Sequence, residues 1–397
     1  MKQWNYYVKF AIVFLFVWIL MAVGIRQVSR NIILGADYYT FYTAARMYLL
    51  DRINPYSQEV TQAAQLGILG RLAAPQEDQL AFAYPFFMLF WVFPFAWQDI
   101  SISQPLWMSL NILLTLTCLI KIFQNKKFFA LLGLTFYPIL FGIILGNFSN
   151  LICLIVLYYF DQVFFNQPAR NRQILLGFLL SWLIGKPQLT TLVLVFAVLI
   201  CFHMKYLPQV FSFGISLIFL LIVSALLLPN WLDLWIQQIQ QYSVYNQAKP
   251  AILAQYLLSF TNIPEKLILG IMIIAVMAVF TGWFLVVHKS ENLHNQEKKF
   301  RNLLLLNLII LLTSLLIPRT LSYDHTLILV GFFLGSKFLI ELNCKYQWIA
   351  LIWLFYSAIS WLTSINITFP IIISTSWLII FWFLSKDKMK ETSHELA

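Results

Sequence analysis

Charge is scarce in this chain. Of 397 residues only 11% are charged, while 61% are hydrophobic and 17% aromatic; a soluble domain carries roughly 25% charged residues. No soluble core of this length absorbs so much apolar side chain without exposing several runs of it. The length-based expectation of two or three soluble domains therefore does not apply. Paired or clustered cysteine is also missing. Cys118, Cys153, Cys201 and Cys344 stand singly, three of them within or at the end of apolar runs. None has metal-ligand spacing, and they read as small buried hydrophobes. There is no internal repeat, no coiled-coil heptad, no low-complexity tract and no G-x-G-x-x-G fingerprint. Period-two alternation is absent too and the apolar runs are continuous rather than half polar, which makes strands a poor reading. The net charge of +10 is small for this length; it reads as an orientation signal rather than a nucleic-acid footprint.

What is present is a series of apolar runs, at roughly 8–27, 81–97, 103–120, 128–145, 148–165, 174–204, 209–228, 267–287, 303–318, 325–340, 346–363 and 368–385. Several approach the ~20 residues that cross a bilayer as helix. The expected fold is an all-α polytopic integral membrane protein with about twelve transmembrane helices, eleven to thirteen, in a single transmembrane domain over 1–397. The first run follows a basic start and is too long for a cleaved signal peptide, so it reads as a retained span. Lys2 and Lys9, the basic loop 288–301 and the tail 386–397 place both termini inside. Two segments then fall outside: 28–80, which contains Asp37, and 229–265. Both suit amphipathic helices on the membrane surface, with Trp231, Trp235, Tyr242 and Tyr245 as interfacial anchors. Keeping the basic groups around Lys121 and Arg170 inside requires two irregularities. The run 81–97, with proline near both ends, would dip in and return, and the run 174–204 would break at Lys186-Pro187 into two short helices; the alternative keeps both runs as plain spans and tolerates short basic loops outside.

The side chains able to do chemistry gather at the expected outer face. Asp37 is the first acid of the chain and opens GADYYTFYTAARMYLLDRINPY. A carboxylate there can accept a proton from an attacking hydroxyl; the competing role is a helix cap. Arg46 offers planar donors to a phosphate, or a snorkelling stem. Lys186 interrupts an otherwise uncharged stretch beside a proline, a position that is functional by default. Arg319, Tyr323, Asp324 and His325 form the densest polar cluster: arginine and histidine suit phosphate oxygens, and Asp324 suits a cap. Tyr84, Asn147 and Asn150 read as support, the asparagines as hydrogen-bonding groups between helices. One outer histidine with scattered acids is a weak metal set; a divalent cation on oxygen ligands stays an open alternative.

The combination resembles the class C membrane glycosyltransferases that use polyprenyl-phosphate sugars, and among them family 87, the polyprenol-phosphate-mannose-dependent α-mannosyltransferase-like proteins. The pieces are DYYTFYTAARMYLLDRINPY at 37–56, YPF at 84–86, LGNFSN at 145–150, GKPQ at 185–188 and SYDHTL at 322–327. YPF stands where Tyr-Pro-Pro is commoner, and Gly146-Asn147 where Gly-Gln is. The resemblance implies an active site on the extracytoplasmic face of a bacterial inner membrane. It implies inverting transfer of mannose or another sugar to an envelope glycan or glycolipid. Asp37 would be the base, with Lys186 and His325 near the donor phosphate. No cofactor is firmly implied, and a monomer in membrane lipid without a nucleic-acid partner is expected. From physics alone, a transporter, a lipid-carrier flippase or a glycan polymerase is the competing reading.

Overall fold

A computed structural model describes residues 2–30, 32–124, 126–245, 267, 270, 274, 276–282, 295–316, 321–362 and 369–395. Every regular element among them is helical. The expected span at 267–287, the outer segment beyond 245 and Arg319 lie wholly or partly outside the described residues.

The chain forms two interleaved units. The first takes residues 1–118, 140–151 and 218–247. It contains α1 (Lys2–Ser29), α2 (Ala36–Asp51), α3 (Gln58–Leu69), a 3-10 turn (Phe86–Trp91), α4 (Phe93–Ala96) and most of α5 (Ile100–Ile122). The end of α7 (Tyr137–Leu145), the start of α8 (Phe148–Phe165), the end of α11 (Leu207–Leu227) and α12 (Trp231–Tyr245) complete it. Its core is aromatic: Tyr38, Phe82, Phe86, Trp107 and Phe148 are fully buried. The second unit takes 119–139, 152–217 and 248–397. It holds α6 (Phe128–Leu134), α9 (Arg170–Ser181), α10 (Pro187–His203), α13 (Asn295–Leu316), α14 (Thr326–Glu341), α15 (Tyr346–Leu362) and α16 (Phe369–Glu395). Phe136, Trp353, Trp377 and Phe381 centre its core.

The protein is a membrane protein. Among the described residues, six helices are long and apolar enough to cross a bilayer: 8–29, 100–122, 148–165, 207–227, 295–316 and 322–341. Helices 8–29 and 207–227 expose most of their apolar surface, including Phe16, Leu20, Phe211 and Ile215, as lipid-facing helices do. The expected twelve spans are not reached among the described residues. The run 128–145 is a pair bent by 63° and counts as one span at most. The run 81–97 is no span, because Pro85 and Pro94 divide it into the 3-10 turn and the four-residue α4. The run 174–204 breaks at Lys186-Pro187, as the proline implies, and the short helix 187–203 begins with Pro187 in its first turn.

The aromatic anchors of α12 turn the other way from expectation. Trp231 is buried, the Trp235 indole donates to Ala83 O (3.0 Å), and the Tyr242 hydroxyl donates to Asp78 (3.1 Å). Leu232, Ile236 and Ile239 are the exposed apolar side. Rings with polar tips serve a protein core as well as a lipid interface when the tip finds an acceptor. The side chain of Tyr245 lies outside the described residues.

Candidate active site

The approach to α2 is pinned before the helix starts. Gln104 Oε1 accepts from the Leu34 and Gly35 amides (2.9 and 3.1 Å), and its Nε2 donates to Ile32 O (3.2 Å). Gly35 occupies the N-cap position, so Asp37 is not the cap; it sits in the first turn, half-buried. The helix dipole favours a carboxylate there. The aromatic residues after it fix the helix. Tyr38 stacks on Trp107 at 5.2 Å with its hydroxyl 2.5 Å from Ser103 Oγ, and Phe41 stacks on Phe148 at 4.4 Å. Burial pushes the Tyr38 phenol well above its ordinary range, so it stays protonated. Arg46 Nη1 donates to Ala96 O and Gln98 O, both at 3.0 Å, and braces the turn around α4.

Asn147 meets Asp37 from the turn between α7 and α8. Its Nδ2 donates to Asp37 Oδ2 at 2.7 Å and reaches the Tyr84 hydroxyl at 3.3 Å. Its Oδ1 accepts from the Ser149 amide (2.9 Å) and hydroxyl (2.7 Å), which makes Asn147 the cap of α8. With the oxygen committed to the helix end, the NH2 group faces the carboxylate; the hydrogen-bond network leaves one orientation. Gly146 makes the turn. Its φ is +70°, and a Cβ there would stand 2.5 Å from Tyr38 Cβ and 3.1 Å from the Trp107 ring. Only glycine supplies that conformation and that clearance. Trp107 Nε1 donates to Gly146 O (3.0 Å) and fixes the turn further. Tyr84 packs its ring against Phe41 and Phe148, both at 5.2 Å. Pro85 favours extended backbone at Tyr84, whose carbonyl accepts from the Tyr56 hydroxyl (2.9 Å). Asp37, Asn147 and Tyr84 therefore form one cluster within the first unit. Asn150 bonds across to Thr115 at 3.1 Å.

The second unit brings together Lys186, Tyr323 and Asp324. Lys186 is 3% exposed, and its Nζ lies 2.5 Å from Asp324 Oδ1 and 4.8 Å from the Tyr323 ring centre. Asp324 Oδ2 also accepts from the Leu321 amide (3.2 Å), so the expected capping role is present beside the ion pair. His325 is adjacent and 5% exposed; neither ring nitrogen has a hydrogen-bond partner among the described residues. A buried imidazole without partners is costly unless water or a ligand completes it. No group of three or more histidine, cysteine, aspartate or glutamate side chains gathers as a metal site among the described residues.

Sequence reasoning missed Gln104, whose amide looks like any other polar residue at the start of an apolar run. It also missed the pairing of Asp161 with Lys337 at 2.6 Å in the second unit. Both acid and base sit inside apolar runs, and that was the available signal.

The sequence model of glycosyltransferase family 87 matches residues 82–318, more than half of the chain. The matched stretch includes Tyr84, Asn147 and Lys186; Asp37 precedes it, and Arg319, Tyr323, Asp324 and His325 follow it. Comparison with curated proteins and with solved structures finds no match.

Proposed function

We propose, from the premise that this chain belongs to glycosyltransferase family 87, that it moves a sugar from a polyprenyl-phosphate donor to a glycan or glycolipid acceptor at the extracytoplasmic face of a bacterial inner membrane, with Asp37 as general base. Family membership makes the protein a glycosyltransferase with a sugar donor and an acceptor; donor class, stereochemistry and base are our reading.

The observation that carries it is the oriented carboxylate. A base must be held in place, must keep access to the incoming hydroxyl, and must stay ionised. Asn147 Nδ2 holds Oδ2 at 2.7 Å, the side chain is half-exposed, and the first turn of α2 favours its charge. In the transfer, the acceptor oxygen bonds to the anomeric carbon while the bond from that carbon to the phosphate oxygen breaks. The hydroxyl proton passes to Asp37, and the polyprenyl phosphate leaves with the electron pair. A phosphate leaving group needs little protonation, so a single acid–base residue suffices and attack on the opposite face inverts the centre. In the second unit, Lys186, Tyr323 and His325 are the groups suited to a donor phosphate, with Arg319 next to them in sequence. The Lys186 charge is already balanced by Asp324. The role fits best if the phosphate shares the lysine and takes the His325 ring as donor.

The test is Asp37→Asn against Asp37→Glu in purified protein reconstituted in lipid, with donor saturating. Asn removes the base without changing size, and general-base catalysis is worth about 10²–10⁴-fold. Turnover falls by that order in Asp37→Asn and is partly kept in Asp37→Glu. Unchanged turnover in Asp37→Asn rejects the base.

A further inference from the structure

The first unit holds a second feature that the chemistry at Asp37 does not use: a cavity of about 500 Å³ walled by glutamine. The size falls within the roughly 300–1,000 Å³ of small-ligand sites. One wall is α3, where Gln58, Thr61, Gln62 and Gln65 follow the i, i+3, i+4, i+7 spacing of one helical face. The facing wall is α12, with Gln238, Gln241 and Tyr242. The loop between Gly70 and Ala81 closes a third side. No lining residue is charged among the described residues.

Structure accounts for some of these amides and not for others. Gln65 and Gln79 shape the loop: Gln65 Nε2 donates to Gln79 O (2.8 Å), its Oε1 accepts from the Ala73 amide (3.0 Å), and Gln79 Nε2 donates to Ala74 O (2.8 Å). The charges of that loop are spent on each other. Arg71 grips Glu77 through two bonds (2.7 and 2.6 Å) and pulls its carboxyl down to about 2. Gln58, Gln62, Gln238 and Gln241 line the cavity and have no hydrogen bond to the protein among the described residues. Gln238 is the most enclosed of the four, 7% exposed, and its amide atoms stay accessible from the cavity. Four amides around one space, two of them (Gln58 and Gln241) exposed, offer eight N–H donors and four carbonyl acceptors.

We infer that this cavity binds a neutral oligosaccharide, the sugar portion of the acceptor. The inference rests on the reading of the protein as a glycan-modifying transferase and extends it to the acceptor's chemistry. Dense paired donors and acceptors without charge match a ligand rich in hydroxyls. They do not match a phosphate, which needs a cation, or an isoprenoid tail, which needs an apolar wall. Tyr56 and Tyr242 add aromatic surface. The cavity is joined to the carboxylate through side chains already described. Tyr56 OH donates to Tyr84 O, the Tyr84 hydroxyl meets Asn147, and Asn147 holds Asp37. Gly67 lets α3 lie close to α2, since a Cβ there would overlap the Tyr39 ring.

The test is saturation-transfer NMR on the full-length protein in nanodiscs, with soluble tetrasaccharides of mannose, glucose and N-acetylglucosamine as probes and glycerol 3-phosphate as anionic control. At least one tetrasaccharide gives signal with a millimolar Kd, and glycerol 3-phosphate gives none. The Kd rises at least tenfold in Gln238→Leu and in Gln62→Ala, which lie on opposite walls; Gln62 is only half-buried, so its truncation keeps the fold even where the first variant does not. Absence of signal from every tetrasaccharide at 10 mM, a glycerol 3-phosphate signal that displaces the sugars, or a wild-type Kd in both glutamine variants overturns the proposal. Loss of turnover in Asp37→Asn, or its persistence, bears only on the role of the carboxylate.

Discussion

Asn147 does two jobs with one amide, and each half constrains the other. Its oxygen ends α8 and its nitrogen holds Asp37 Oδ2 at 2.7 Å. A hydrogen bond to a charged group contributes about 1.5–3 kcal/mol. If that bond orients the base during transfer, Asn147→Leu lowers kcat by roughly 10- to 100-fold with little change in donor KM. Asn147→Asp is sharper. It keeps an oxygen for the α8 cap but places a second carboxylate beside the first, and like charge disfavours ionisation. If Asp37 is the base, its ionised form is the active one and the rising limb of the pH–rate profile moves to higher pH; an unmoved limb in Asn147→Asp removes Asp37 from the profile. Asp37 itself was legible in sequence, as the first acid after the first span. Its partner lies 110 positions away. No periodicity encodes such a contact, so Asn147 was readable only as a polar group between helices.

Turns and breaks decide what the helices present. Proline was a reliable guide: Pro85 and Pro94 stop a span from forming, and Pro187 starts a new helix where Lys186 enters the interior. The direction of α12 was not readable, because its aromatic stripe suits either surface until the acceptors Ala83 and Asp78 are known. The Lys186–Asp324 pair raises an energetic question at this scale. Both side chains are almost wholly buried. Removing one partner of such a pair costs about 3–5 kcal/mol, whereas replacing both by apolar residues is often neutral. Lys186→Met therefore unfolds at lower temperature than wild type, and Lys186→Met with Asp324→Leu recovers most of the loss. If the lysine also serves the donor, the double variant regains stability but not donor affinity, read as a raised donor KM. Recovery of both means that the pair is structural only.

The whole molecule was legible as class rather than as count. Apolar runs and scarce charge establish a helical membrane protein, and among the described residues six helices are long and apolar enough to span. The number twelve is not reached among the described residues, where hydropathy averages over breaks: a run of bilayer length is one helix, two short ones or a bent pair, and only local backbone geometry separates them. The two segments read as lying outside, 28–80 and the part of 229–265 that is described, supply both walls of the glutamine cavity and the helix that carries Asp37. The central claim concerns the complete chain in lipid, namely that it takes its sugar from a phosphate on an isoprenoid. The direct measurement is sugar transfer by purified protein in liposomes. Decaprenyl-phosphate mannose, glucose, galactose and arabinose would each be offered with a membrane glycolipid extract, beside the corresponding nucleotide sugars. The account predicts labelled glycolipid from at least one lipid-linked donor, in inverted anomeric configuration, and none from any nucleotide sugar. Transfer from a nucleotide sugar, or a product of retained configuration, would contradict it.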